Sequence, residues 1–115
     1  MVALQFHTGS FPNNVQRAIK FLKDKIGEEG CIVLFGSRTA STKKKNPDYD
    51  IGVMTDKEVE MKTLNSWKSK VEDLAWPYRI DLVDLNRAPV NSLYLIEKEM
   101  VVLHGKYHER EKIKH

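Results

Sequence analysis

Apolar residues recur along the chain at two different periods, and the switches between those periods mark out the elements. Val15, Ala18, Ile19, Leu22 and Ile26 follow an i, i+3, i+4, i+7, i+11 spacing, which puts them on one face of a helix from about Asn13 to Ile26. Ser10 or Asn13 can cap it, and Pro12 suits its first turn. Gly27 and Gly30 punctuate its end. Cys31 to Phe35 then runs without a polar residue and reads as a buried strand, which Gly36-Ser37 ends abruptly.

Residues Arg38 to Pro47 are Thr, Ser, Lys, Asn and Pro around a single Ala, the composition of a loop or a short turn of helix. In the second strand Tyr49, Ile51 and Val53 alternate with Asp48, Asp50 and Gly52, so one face is apolar and the other carries two carboxylates. Thr55 or Asp56 then caps a helix in which Leu64, Trp67, Val71 and Leu74 repeat at helical spacing, ending before Pro77. A third strand covers Tyr78 to Asp84, a further helix runs from Pro89 to about Glu99, and Val101 to Leu103 adds a short edge strand. The order α-β-loop-β-α-β-α-(β) predicts an α/β (α+β) fold with helices packed on a small mixed sheet. The expected domain is 1–105, followed by a charged tail over 106–115.

With 115 residues, 41% hydrophobic and 30% charged, there is core for one domain only. Length alone excludes a multi-domain polymerase, a kinase and a TIM barrel. Apolar runs of the Ile32-Val33-Leu34-Phe35 type fall far short of the ~20 residues that span a bilayer, and Met1 to His7 has no basic start to a secretory signal. The expected setting is cytoplasmic, with no membrane contact. Cys31 has no second cysteine to pair with and suits a buried, unreactive thiol. Nineteen Lys and Arg against sixteen Asp and Glu give a net charge of +3, too small an excess to claim direct nucleic-acid binding. Part of it lies in Lys43-Lys44-Lys45, which reads either as a solvated loop or as an attractor for a polyanion such as a nucleoside triphosphate.

Asp48 and Asp50, two apart on a strand, project from the same face, close enough to share divalent ions. Such a pair is costly unless something cationic neutralises it. Asp81 sits mid-strand between Ile80 and Leu82, where strand pairing can bring it beside the other two. Three carboxylates on adjacent strands suit two-metal phosphoryl chemistry, and hard oxygen donors without His or Cys suit Mg²⁺ better than Zn²⁺. Gly36 lets the backbone approach a phosphate, and Ser37 offers an N–H and a hydroxyl to its oxygens. Singly these signals are commonplace, since Gly-Ser often makes a turn and Asp-x-Asp often ends a strand; their ordered combination is not.

In that order, Gly36-Ser37, ten residues, Asp48-x-Asp50 and a later strand Asp81, the sequence resembles the active-site signature of the DNA polymerase β-like nucleotidyltransferase superfamily. More narrowly it resembles the minimal nucleotidyltransferase (MNT) branch. Ile80-Asp81-Leu82-Val83-Asp84-Leu85-Asn86-Arg87-Ala88-Pro89, with Leu93, Ile96 and Val102-Leu103 after it, is similar to the C-terminal half of MNT proteins, and the likeness spans about Val15 to Gly105.

The resemblance implies transfer of AMP from ATP to a hydroxyl acceptor with two Mg²⁺ ions. Asp48, Asp50 and Asp81 match the metal-binding and catalytic carboxylates. Gly36 and Ser37 match the triphosphate-binding turn, and Arg38 the basic residue that follows it. MNT proteins are commonly encoded beside a HEPN-domain ribonuclease toxin and act as its antitoxin, binding it and adenylylating a tyrosine. Two departures stand out: Thr39-Ala40-Ser41 where members usually carry a second glycine, and Pro47 where most have Ser. Neither removes a metal ligand.

His7, His104, His108 and His115 are scattered without ligand spacing. Asp84 falls on the opposite strand face from Asp81, and Tyr49 reads as core. A competing reading, of a different class, is a catalytically weak or inactive module that neutralises its partner by contact. Transfer to a small acceptor ranks last, because 115 residues leave no room for the extra helical domain such enzymes carry. A missing acceptor site is most simply supplied by another polypeptide, in a homo- or hetero-oligomer.

Overall fold

A computed structural model describes residues 4–5, 11–36 and 48–109. The elements are β1 (Leu4–Gln5), α1 (Asn13–Ile26), β2 (Cys31–Phe35), β3 (Asp48–Met54), α2 (Met61–Ala75), β4 (Arg79–Asp84), α3 (Val90–Glu99) and β5 (Val101–His104). They form one mixed sheet in the order β1-β5-β2-β3-β4. β2 runs antiparallel to both β3 and β5, while β3 and β4 are parallel and joined through α2.

The two periods in the sequence become the two faces of this sheet. Ile32, Leu34, Tyr49, Ile51, Val53, Ile80 and Leu82 point to one face and pack with the apolar stripes of α1 and α2. Cys31, Val33 and Val102 point to the other, against Leu93 and Ile96 of α3 and against Leu85 and Met100. At about 1.5–3 kcal/mol for each large side chain withdrawn from water, these two clusters are the main favourable contribution to folding. Among the described residues no helix is long and apolar enough to cross a membrane.

Four differences from the sequence reading have physical causes. α2 begins at Met61, after Glu60, because Thr55 is committed elsewhere. Its backbone N–H donates to Asn86 Oδ1 at 2.9 Å, and Asn86 Nδ2 donates to its carbonyl at 2.8 Å, tying the exit of β3 to the turn after β4. α1 is entered from Pro12 without a side-chain cap; Asn14 instead donates to the Trp76 carbonyl, 2.5 Å away. β4 starts at Arg79, one residue late, because the Tyr78 N–H donates to the Ala75 carbonyl at 2.8 Å and holds Tyr78 in the turn after α2. β5 is not the sheet edge, because the two-residue β1, absent from the sequence reading, pairs along its outer side.

Gly52 is needed for close approach: a Cβ there would sit 2.9 Å from Leu85 side-chain atoms. Past β5, Tyr107 packs against the α3-side cluster and its hydroxyl donates to Glu97, which is only 6% exposed. Burial and the neighbouring Glu97 carboxylate raise the Tyr107 phenol well above its ordinary value.

Candidate functional site

Strand alternation builds the site. Because Tyr49 and Ile51 are buried against α1 and α2, Asp48 and Asp50 must leave β3 on the opposite face. Ile80 and Leu82 impose the same choice on β4 and turn Arg79 and Asp81 to that face. The apolar cluster under α3 includes Met54 and Val83, at the far ends of these two strands, while Asp48 and Asp81 are exposed and Asp50 is half-buried. The β3–β4 register pairs Asp50 with Asp81 and Asp48 with Arg79. Adjacent strands lie about 4.8 Å apart, so three carboxylates and one guanidinium share a single open patch.

Gly36 completes this end of the sheet. It follows Phe35, the register partner of Asp50, and has φ of 77°. A Cβ at this position would collide with the Asp50 carboxylate. Glycine is therefore required twice, for its left-handed backbone and for the closeness of that backbone to a candidate metal ligand. Ser37, Arg38, Lys43, Lys44, Lys45 and Pro47 lie outside the described residues.

The structure thus gathers four sequence-identified residues, Gly36, Asp48, Asp50 and Asp81, at one end of the sheet. Among the described residues, no group of three or more His, Cys, Asp and Glu side chains is gathered closely enough to hold a metal ion. The carboxylates form an open row rather than a closed cage. Mg²⁺ takes hard oxygen ligands and keeps water and substrate phosphate among them, so Asp48, Asp50 and Asp81 could hold it only together with ligands from substrate and solvent. The like charges of Asp50 and Asp81 on neighbouring strands also favour a cation.

Other candidates settle into structural roles. Asp84 accepts from the Asn86 backbone N–H at 2.9 Å and from Arg87 at 2.5 Å, holding the turn after β4. Cys31 is 1% exposed, and burial raises its thiol to about 11. His104 Nε2 lies 3.0 Å from the Gly27 carbonyl, and His108 is exposed. A cavity of about 630 Å³ opens at the other end of the sheet, beside Cys31, Thr55 and Asn86, and no sequence-identified site residue lines it. Sequence reasoning missed Arg79 as a member of the site. Its signal was present, two residues before Asp81 on the same strand face.

Residues 16–109 match the family described as polymerase beta, nucleotidyltransferase. The chain belongs to that family. This nucleotidyltransferase is similar in structure to a toxin-antitoxin solved with AMP-PNP, with a TM-score of 0.69 and 29% identity over 81% of this chain and 74% of that one. It is also similar to an MNT antitoxin in complex with a tri-AMPylated HEPN toxin of Shewanella oneidensis, with a TM-score of 0.64 and 26% identity over 82% and 71% of the two chains. A third similar structure is an MntA-HpeT toxin-antitoxin variant in which two aspartates, two positions apart, are replaced by glutamate, with a TM-score of 0.67 and 26% identity over 80% and 73%. No curated protein shows significant similarity to the chain. The fold expected from the resemblance is therefore the fold found, and the nucleotidyltransferase keeps its carboxylates on the face the alternation predicts.

Proposed function

We propose that this nucleotidyltransferase transfers AMP from ATP to a hydroxyl, a tyrosine, of a HEPN-type toxin encoded nearby, and acts in the cytoplasm as the antitoxin of that toxin. The observation that carries the reading is the placement of Asp50 against both Asp81 and Gly36, a carboxylate pair beside a glycine that admits no side chain. The neighbours support it. One is a toxin-antitoxin solved with AMP-PNP, another an MNT antitoxin with a tri-AMPylated HEPN toxin, and a third varies an aspartate pair spaced like Asp48 and Asp50.

In this reading Asp48, Asp50 and Asp81 would hold Mg²⁺, two ions in all, which would supply positive charge to offset that of the triphosphate. The backbone at Gly36 and the N–H and hydroxyl of Ser37 bind phosphate oxygens, with Arg38 adding positive charge. Asp81 orients the acceptor hydroxyl and helps remove its proton. The acceptor oxygen bonds to the α-phosphorus, the bond from that phosphorus to the bridging oxygen breaks, and pyrophosphate leaves in line with the attack.

Intact-mass analysis of the HEPN partner after incubation with Mg-ATP tests this directly. Gains of whole AMP units with the native chain, and none with Asp48→Asn, are expected. The open spacing of the carboxylates gives one specific ground for the second reading, neutralisation by contact alone. Under that reading Asp48→Asn protects against the toxin as well as the native chain does, and the partner gains no mass.

A further inference from the structure

The open face that carries three carboxylates also carries a charge of opposite sign. Arg79 is the first residue of β4, is exposed, and is the register partner of Asp48. It shares its face with Asp81, while Ile80 and Leu82 turn into the core. Among the described residues no carboxylate lies within ion-pairing distance of its guanidinium, Asp48 included. Its guanidinium is therefore not consumed by an ion pair with the acidic patch among the described residues.

Strand order gives this position a direction. Gly36 follows β2, the carboxylates span β3 and β4, and β4 is the edge of the sheet. In an in-line displacement the attacking and leaving oxygens lie on opposite sides of the phosphorus. On the nucleotidyl-transfer reading, with phosphate held at the Gly36 turn on the β2 side, pyrophosphate leaves toward β2 and the acceptor enters across the β4 edge, past Arg79.

We propose that Arg79 is an acceptor-side positioning residue whose guanidinium binds anionic oxygens of the protein partner beside the hydroxyl being modified. The inference rests on the nucleotidyl-transfer reading above. A planar guanidinium matches paired oxygens of either of two sources, an acidic side chain of the partner or the phosphodiester of an AMP already attached to it.

The test is AMP transfer to the purified HEPN partner, read by intact mass at varied partner and ATP concentrations, together with equilibrium binding of the unmodified partner. Arg79→Ala is expected to raise KM for the partner about fivefold, with the effect fading at high salt, and to leave KM for ATP and kcat within about twofold. Arg79→Lys should recover part of the loss. A slower first transfer assigns the partner's acidic side chain, and a loss confined to later transfers assigns the phosphodiester; both support the proposal. A raised KM for ATP with every transfer to the partner unchanged, or no change in KM for ATP and in any transfer, first or later, overturns it. Absence of AMP transfer by the native chain would overturn the nucleotidyl-transfer reading instead. Binding then decides Arg79: about fivefold weaker binding by Arg79→Ala supports the contact, and equal binding overturns it.

Discussion

Asp50 and Asp81 are register partners across the parallel β3–β4 ladder, so two carboxylates leave neighbouring strands on the same face of the sheet. Apolar neighbours on both strands enforce this. Turning Asp50 inward would drive Tyr49 and Ile51 out of the α1–α2 core, and turning Asp81 inward would do the same to Ile80 and Leu82. A cation bound between them would be attracted by both carboxylates.

Asp81→Asn should therefore separate activity from stability. AMP transfer is expected to fall at least about a hundredfold, the scale on which a lost charge-stabilising group acts. Asp81 is exposed, so the thermal midpoint measured without Mg²⁺ should stay within about 4 °C of the native value. A large drop in midpoint would mean that Asp81 is structural.

Gly36→Ala should damage both properties. The new Cβ meets the Asp50 carboxylate, and alanine disfavours a φ of 77°. Urea unfolding should show a loss of about 1–3 kcal/mol, and transfer activity should fall with it as Asp50 is displaced. Gly52→Ala is the control. It is crowded by Leu85 rather than by a candidate ligand, and should lose about 1–3 kcal/mol while retaining most of its activity below the unfolding transition.

Asn86→Ala removes the three hydrogen bonds between Thr55 and Asn86, two to the Thr55 backbone and a longer one from its hydroxyl. Its expected cost is about 1–3 kcal/mol in urea unfolding, with kcat of the folded variant within about twofold of native. The clamp lies at the opposite end of β3 from Asp48 and Asp50, so a collapse of kcat would contradict the site assignment.

The Cys31 thiol, raised to about 11 by burial, should resist a thiol reagent at pH 8 until the chain unfolds. The folded state holds its proton more tightly than the unfolded state does. Its contribution to stability is complete below about pH 9 and is lost as pH rises toward 11. A Cys31→Ser variant should show a shallower decline of stability over that window, measured by urea unfolding at a series of pH values. Rapid labelling of the native protein at pH 8 would contradict the burial.

The sequence made α1 legible to the residue at both ends, because its apolar stripe is regular and glycine stops it. It also made the three-carboxylate face legible, since a two-residue period leaves Asp48 and Asp50 no choice once Tyr49 and Ile51 are core. What it hid depends on long-range pairing. Thr55 reads as a helix cap until Asn86, thirty-one positions away, takes its backbone groups. β5 reads as an edge until β1 is paired beside it, and two residues are too few to carry a period. Arg79 reads as one polar residue among many until the β3–β4 register sets it opposite Asp48.

The central claim is that Asp48, Asp50 and Asp81 form one nucleotidyl-transfer site. Its most direct test is the intact mass of the HEPN partner after incubation with Mg-ATP and either the native chain or each of the three Asp→Asn variants. The account predicts whole AMP units added by the native chain and none by any variant, although each variant folds. Full modification by a folded variant, or no added mass with the native chain, would contradict it.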